Sequence, residues 1–235
     1  MTQKTDIHPL QADILKVLLF TPEARFSDLN VSRISTDHFT FHVKKLTELK
    51  LIEKTEENSY RLTVIGKEFA NRFDVDTENV VLERQAKIGV LIGCVRGEGK
   101  DREYLIQQRL KQPYFGYYGF MTGKVKLGET VYETAERELQ EEMGLAADLK
   151  LVGVRHKMDY DKDRRLLEDK YFYVFRGENP RGELQAEFNG GRNAWMTKDE
   201  ISKLPKLFHD CMETIGLLDQ AKLRFVESKY TVAGY

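Results

Sequence analysis

The stretch "GKVKLGETVYETAERELQEEMGL", Gly123 to Leu145, decides the fold prediction because it combines clear helix boundaries with an unusual charge pattern. Thr130 and Glu133 form a T-x-x-E capping box, and Gly144 suits the left-handed turn that ends many helices. The sequence therefore predicts a helix over about 131–143. Its apolar spacing predicts a buried side made of Tyr132, Ala135, Leu139 and Met143.

Three glutamates crowd another side of this predicted helix. Because an α-helix turns by about 100° per residue, Glu138, Glu141 and Glu142 fall within a sector of roughly 100°. Like charges on one helix face repel by about 0.2–0.5 kcal/mol per pair. The residues alone leave two interpretations: a solvated acidic face, or a site for a hard divalent cation, which prefers carboxylate oxygens.

The complete pattern resembles the Nudix box. Gly123 is followed after five residues by Glu129, and after seven more by "RELQEEMGL" over 137–145, so both gaps and every specified position match. The resemblance implies the Nudix fold, an α/β/α sandwich around a mixed sheet, for residues 83–235. It also implies the family reaction, in which water attacks a phosphorus of a nucleoside diphosphate linked to another group X.

Carried over position by position, the resemblance implies a site for Mg²⁺ or Mn²⁺. Glu138, Glu141 and Glu142 become metal ligands, and the backbone carbonyl of Gly123 is a further candidate. The implied substrate is a nucleotide-derived diphosphate, whose identity the box does not specify.

The resemblance also implies supporting and catalytic roles around the metal. Arg137 and Glu129 become orienting partners. A carboxylate must accept the proton of the attacking water, and Glu141 is the first choice among the helix glutamates. Glu187 is a candidate base outside the box.

Side chains before the box supply further candidates for substrate binding. Arg109, near the end of a predicted strand, is a candidate for contact with substrate phosphate, with an ordinary surface position as the alternative. Four aromatic residues are candidates for a stacking platform, although packing is the alternative for most of them: Tyr114, Phe115, Tyr117 and Tyr118.

Strand and helix patterns alternate in this second half, which predicts a single mixed α/β domain. Strands are predicted over 86–95, 102–110, 149–158 and 170–177. Helices are predicted at "KDEISKL" and over 207–221.

The first half resembles a winged helix-turn-helix domain and is predicted over residues 1–76. Apolar residues at helical spacing occur over 8–20 and 35–52, with a short helix between them at "RFSDLN". Two extended pieces around a polar turn then predict a hairpin. The polar segment 77–82 is predicted to be a linker.

If this domain binds DNA, its second long helix would enter the major groove. The candidate groove-facing residues are Ser35, Thr36, His38, Thr40, His42 and Lys44, and Arg61 on the hairpin would contact phosphate. Residues 1–76 hold eleven Lys and Arg against twelve Asp and Glu, a net charge of −1, whereas DNA binders usually carry a basic face. DNA binding and dimerisation remain alternatives, and a homodimer is expected.

The composition indicates a globular protein. Hydrophobic residues make up 41% and charged residues 32% of the chain, and the net charge is −1. Cys94 and Cys211 each lie in an apolar segment, which predicts buried, reduced thiols. No apolar run approaches the ~20 residues of a membrane span, so a cytoplasmic protein with no membrane partner is expected.

Two functions are consistent with this sequence. The first is an active Nudix hydrolase. The second is a transcriptional regulator whose Nudix domain senses a nucleotide such as ADP-ribose while the winged helix binds DNA. The intact box favours catalysis, because a pure sensor needs no complete set of carboxylates.

Overall fold

The computed structural model describes residues 7–73, 85–220 and 222–233. The chain forms two compact units, Met1–Arg84 and Gln85–Tyr235. The predicted linker over 77–82 lies outside the described residues. Across the described ranges, every helix is too short or too polar to cross a membrane.

The first unit contains the predicted helix, short helix, helix and hairpin in that order. Its elements are α1 (Pro9–Phe20), β1 (Ala24–Arg25), α2 (Phe26–Leu29), α3 (Thr36–Glu48), β2 (Ile52–Lys54), β3 (Ser59–Leu62) and α4 (Val64–Ala70). The strands form a small antiparallel sheet in the order β1-β3-β2. Its core includes Ile14 and Leu15 of α1 and Phe39 and Leu46 of α3.

The prediction that His42 faces a DNA groove is wrong. His42 is only 2% exposed, because it lies three residues after Phe39 and four before Leu46 and so shares their buried helix face. Its Nε2 is 3.2 Å from Nε2 of His38, and its ring centroid is 4.4 Å from that of His8. The other residues predicted to face the groove, at the start of α3 and within it, are exposed: Ser35, Thr36, His38, Thr40 and Lys44.

The second unit is built on a nine-stranded mixed sheet. Its elements are β4 (Lys87–Arg96), β5 (Glu103–Arg109), β6 (Tyr118–Gly119), β7 (Met121–Lys124), α5 (Val131–Met143), β8 (Leu145–Tyr160), β9 (Leu166–Gly182), β10 (Glu187–Phe188), β11 (Gly191–Thr197), α6 (Lys198–Ser202), α7 (Cys211–Leu218) and β12 (Arg224–Thr231). The main strand order is β10-β11-β5-β4-β9-β8-β12. The pairs β4·β9 and β8·β12 are parallel and the others are antiparallel.

Helices cover both faces of this sheet, which gives the predicted α/β/α sandwich. On one face, Leu139 of α5 packs with Val90 and Phe175. On the other face, α6 and α7 contribute Ile201 and Ile215. The predicted helix over 207–221 is shorter than expected, and β12 lies in a segment for which the sequence predicted no strand.

The two cysteines lie on opposite faces of the sheet. Cys94 belongs to the α5 side and Cys211 to the α7 side, and both are buried, free thiols, as predicted. Burial raises the pKa of each thiol to about 12, so both stay protonated and unreactive near neutral pH.

A change of strand partner along β4 opens the sheet where the site lies. The end of β4 pairs with β5 through Val95 and Arg96, whereas its first half pairs with β7 from Gly89 to Ile92. Because β5 leaves β4 and continues between β6 and β11, a cavity opens at the divergence, lined by Gln107 of β5 and by residues of β4 and β7.

Candidate active site

The helix α5 begins and ends where the sequence predicted. Thr130 Oγ1 accepts a hydrogen bond from the Glu133 N–H at 3.2 Å, and Glu133 Oε2 accepts one from the Thr130 N–H at 2.8 Å. Gly144 adopts the left-handed conformation with φ +69° and donates its N–H to the Gln140 carbonyl. These caps fix the two ends of the helix that carries the glutamates.

The prediction of the buried side of α5 is wrong at one residue. Tyr132 is 45% exposed, whereas Thr134, which the sequence did not single out, is fully buried. The Thr134 hydroxyl donates to Glu129 Oε2 at 2.8 Å, which draws this small polar residue toward the loop before the helix. Tyr132 instead places its ring edge-on to Phe175, with the ring centroids 4.8 Å apart.

Gly123 on β7 lets a glutamate of α5 lie directly against the strand. A Cβ atom at this position would be 2.1 Å from Cγ and 2.4 Å from Cδ of Glu138, distances that no real contact tolerates. Any side chain here would therefore displace Glu138, which explains the glycine at the start of the motif.

Arg137 and Glu129, which the resemblance predicted to be partners, form an ion pair. Arg137 donates from Nε to Glu129 Oε1 at 2.7 Å and from Nη2 to Glu129 Oε2 at 2.9 Å, a bidentate pair. The bonds from Arg137 lower the pKa of Glu129 to about 2, although burial opposes this; Thr134 and the Lys126 N–H lower it further. The same bonds raise the pKa of Arg137, so both groups stay charged.

The three predicted metal ligands do not converge in this structure. Arg137 Nη1 lies between two of them, 2.9 Å from Glu138 Oε1 and 3.1 Å from Glu141 Oε2. The third, Glu142, accepts a hydrogen bond from Gln107 Nε2 at 2.9 Å. Within the described ranges, no three carboxylate, His or Cys side chains lie close enough together to hold a metal ion.

The donor set nevertheless suits a hard cation. Glu138 and Glu142 are mostly buried and line the cavity, whereas Glu141 is 55% exposed and lies outside its lining. Carboxylate and backbone carbonyl oxygens are the ligand type that Mg²⁺ and Mn²⁺ prefer. Because Glu138 approaches Gly123 closely, the Glu138 side chain lies against β7, the strand that carries the Gly123 carbonyl.

Sequence reasoning missed three residues that position Glu142. Gln107 of β5 bonds its carboxylate, and Lys111 Nζ lies 3.7 Å from its other oxygen. Asn193 of β11, only 5% exposed, donates from Nδ2 to the backbone carbonyls of Glu142 and Gln185, both at 2.8 Å. These partners come from distant segments, so no local sequence pattern identifies them.

Arg109 supports a loop at the cavity. Its Nε donates to the Pro113 carbonyl at 2.6 Å and its Nη2 to the Gln112 carbonyl at 3.1 Å. Burial lowers the pKa of Arg109 from its ordinary value. The predicted phosphate contact therefore competes with backbone bonds that shape the loop, and Tyr114 of this loop also lines the cavity.

The remaining candidates lie elsewhere. Glu187 of β10 pairs with Arg192 at 3.0 Å and does not line the cavity, so the structure does not bring it to the glutamates. In the first unit, Arg61 is paired with Glu53 at 2.8 Å and with Glu23 at 3.8 Å. Its charge is thus already shared with two acids.

The cavity has a volume of about 690 Å³. Glu138, Glu142 and Gly123 line it together with Gln107, Arg109 and Tyr114, and aromatic and lysine side chains complete the wall. Its size suits a nucleotide-sized ligand.

Comparison with known proteins finds relatives that are nucleotide hydrolases. An ADP-ribose pyrophosphatase from Methanocaldococcus jannaschii is 31% identical over 112 residues, covering 47% of this chain and 62% of that protein. An oxidized purine nucleoside triphosphate hydrolase from Danio rerio is 36% identical over 87 residues, covering 37% of this chain and 53% of that protein. The chain thus spans less than two thirds of either curated relative.

Solved structures show the same fold. The MutT protein from Bacillus halodurans superimposes with a TM-score of 0.50 at 23% identity, covering 62% of this chain and 90% of that one. The family described as NUDIX domain matches residues 87–214, which is more than half of the chain. The protein therefore belongs to the Nudix family.

Proposed function

We propose that this protein is a hydrolase that uses Mg²⁺ or Mn²⁺ to cleave the diphosphate of a nucleoside diphosphate linked to another group X. The observation that carries this proposal is the packing of Glu138 against Gly123 at the wall of a nucleotide-sized cavity that Glu142 also lines. A solvated acidic helix face would need neither the glycine nor the cavity.

The cation would be held by Glu138, Glu142 and Glu141, with the Gly123 carbonyl as a further ligand. When bound, it would neutralise charge on the diphosphate oxygens and acidify the attacking water. Glu138 and Glu141 would have to exchange their bonds to Arg137 Nη1 for the cation, while Glu129 keeps the other side of the guanidinium.

Glu141 is our candidate for the base. Its carboxylate is the most exposed of the three, at 55%, and so has access to water and can release a proton to solvent. In the metal-free protein this carboxylate is held by Arg137 Nη1, 3.1 Å from Glu141 Oε2.

ADP-ribose is the first compound to test, because a relative at 31% identity is an ADP-ribose pyrophosphatase. Hydrolysis would convert ADP-ribose and one water into AMP and ribose 5-phosphate. The full-length protein should be incubated with Mg²⁺ or Mn²⁺ and ADP-ribose, nucleotide sugars or an oxidised purine nucleoside triphosphate, and the products identified by mass. Turnover of none of these compounds, or turnover that persists after metal chelation, would contradict the proposal.

For the first unit we propose a winged helix-turn-helix that binds DNA. Support comes from the element order and from the exposed polar side of α3, which carries Thr36, Thr40 and Lys44. The near-neutral charge of this unit predicts weak binding with a shallow salt dependence. Binding to random DNA at low salt, with and without ADP-ribose, tests this function and the regulatory alternative together; absence of any affinity would rule out both.

We also propose that the protein is a homodimer. The first unit exposes large apolar side chains at Phe20, Phe41, Val64 and Ile65. Burying them between two copies would remove apolar surface from water. Sedimentation of the full chain at several concentrations tests this, and a monomer throughout would contradict it.

A further inference from the structure

The cavity extends from the glutamates to a cluster of charged residues on the opposite side of its lining. Strands β7, β4, β9 and β8 are successive neighbours, so three inter-strand spacings, roughly 14 Å, separate Gly123 from the strand of Asp159. The charged cluster consists of Lys87, Lys157, Asp159, Glu168, Lys170 and Asp210, all of which line the cavity. A ligand with its diphosphate at Glu138 would extend toward this cluster.

Most charges in the cluster neutralise one another. Lys157 Nζ lies 2.8 Å from Asp210 Oδ1, and Lys87 Nζ lies 2.8 Å from Glu168 Oε2. These ion pairs make the region polar without giving it a strong net charge. Such a region suits an uncharged group of the ligand that forms hydrogen bonds, rather than another phosphate.

Asp159 differs from the rest of the cluster because one of its buried carboxylate oxygens has no hydrogen-bond donor among the described residues. Its side chain is 2% exposed, and its Oδ2 accepts a hydrogen bond from the Tyr114 hydroxyl at 2.8 Å. Its buried Oδ1 accepts no hydrogen bond from any described residue, and Lys157 Nζ is 3.8 Å from it. A buried carboxylate oxygen without a donor is costly, so this atom is suited to accept a bond from a ligand.

Aromatic rings stand beside this acceptor. Phe172 and Phe208 line the same cavity, and Lys157 Nζ lies 4.9 Å from the centre of the Phe208 ring. Gly119 allows Phe208 to come close, because a Cβ there would be 2.7 Å from its Cδ2. Aromatic walls favour a flat heterocycle over a sugar.

We propose that Asp159 Oδ1 accepts a hydrogen bond from the 6-amino group of an adenine base, and so selects a 6-amino over a 6-oxo purine. This inference rests on the proposed function, which places a nucleoside diphosphate in the cavity. A 6-oxo group would present a lone pair to the carboxylate, which repels it and leaves Oδ1 without a donor.

Equilibrium binding to the full-length protein tests the selection directly. Without added metal, calorimetry would compare ADP-ribose with inosine diphosphate ribose, which carries the 6-oxo group. We expect ADP-ribose to bind roughly tenfold more tightly or better. An analogue with two methyl groups on the 6-amino nitrogen, which has no N–H to donate, should bind as weakly as the inosine compound. Equal affinities, or no binding of any of them, would overturn the inference.

A variant at Asp159 provides a second test of the preference for the 6-amino purine. In Asp159→Asn, the amide oxygen can take the Tyr114 hydroxyl while the NH₂ group faces the base, so the preference should shrink or reverse. Asp163→Asn makes the same change at a 77% exposed position and should leave the preference intact. An equal loss of affinity for both compounds in Asp159→Asn would show a structural role or recognition of the sugar, and would overturn the inference.

The experiments distinguish failure of the hydrolase proposal from failure of the adenine-binding role of Asp159. Metal-dependent turnover of both ribose compounds without preferential binding would overturn the role of Asp159 and leave the hydrolase intact. Preferential binding of ADP-ribose without turnover of any compound tested would overturn the hydrolase and support the adenine site.

Discussion

Asn193 Nδ2 lies 2.8 Å from the backbone carbonyl oxygen of Glu142, and this hydrogen bond joins β11 to the last turn of α5. The last four carbonyls of a helix have no partner within the helix, so a buried amide at this point satisfies one of them. The same NH₂ group also bonds the Gln185 carbonyl at 2.8 Å. Asn193 therefore fixes the backbone position of a proposed metal ligand.

Replacing Asn193 by Ala should destabilise the protein by about 1–3 kcal/mol, because two partly buried hydrogen bonds are lost. Activity should fall as well, since the Glu142 carboxylate would lose its fixed position. Denaturant unfolding and steady-state kinetics measure the two effects. Arg192→Ala, at an exposed position of the same strand, is the control and should change stability by less than about 0.5 kcal/mol. Equal effects of the two changes would contradict the role of Asn193.

Glu142→Gln should reduce kcat by roughly 10²-fold or more while the fold is retained, because an amide is a much poorer ligand and carries no charge. Glu136→Gln makes the same change on the exposed side of α5 and should keep full activity. Circular dichroism verifies the folding of both. A Glu142→Gln enzyme as active as the parent would show that the metal site is wrongly assigned.

Gly123→Ala should abolish most of the activity, because its Cβ would be 2.1 Å from Glu138 Cγ and would push that carboxylate away from the strand. Gly216→Ala is the matched control. That glycine lies in α7, and a Cβ added to it would have open space within 4 Å, so the change should be neutral or stabilise by about 0.5–1 kcal/mol. Kinetics and thermal unfolding distinguish the two; full activity in Gly123→Ala would refute the steric argument.

Acid should remove a contribution of Glu129 to stability. Its pKa is lowered from 4.5 to about 2 in the folded protein, so the folded state binds fewer protons than the unfolded state between these values. The stabilisation is therefore complete above pH 4.5 and is lost as the pH falls toward 2. The difference in unfolding free energy between the parent and Glu129→Gln, followed from about pH 6 to about pH 2.5, should shrink with acid. A constant difference would mean that Glu129 is not held as an anion by Arg137.

Raising the pH should weaken the ion pairs that His156 forms with Glu227 and Asp169. Its Nδ1 is 2.6 Å from Glu227 Oε2 and its Nε2 is 2.8 Å from Asp169 Oδ1. Burial lowers the pKa of His156, but the two carboxylates together outweigh burial and raise it above 6.5. The stabilisation is present below pH 6.5 and is lost as the pH rises through the folded-state pKa.

Because Glu227 belongs to β12 and Asp169 to β9, this loss should loosen the attachment of β12 to the sheet. Hydrogen exchange of the β12 amides, compared between the parent and His156→Gln from about pH 6 to about pH 9, measures it. The parent should approach the variant as the pH rises. A difference that grows with pH would contradict a protonated His156.

Local signals in the sequence were enough to predict the bounds of several helices and strands. The capping box at Thr130 and the glycine at 144 set the bounds of α5, because helix ends depend on hydrogen bonds between near neighbours. Runs rich in β-forming residues also located β4 and β5 to within a residue or two. Local pattern failed for β12, which forms a parallel pair with β8 only through contacts between distant segments.

The sequence by itself determined the family and the helix that carries the glutamates, since both follow from one short segment, whereas the structure decided that Arg137 pairs with Glu129. Only the tertiary structure decided the surroundings of that segment. Gln107 reaches Glu142 across 35 positions, Asn193 reaches it across 51, and Tyr114 reaches Asp159 across 45. Strand pairing creates these contacts, and no periodicity or spacing within one segment encodes which distant side chains it will bring together.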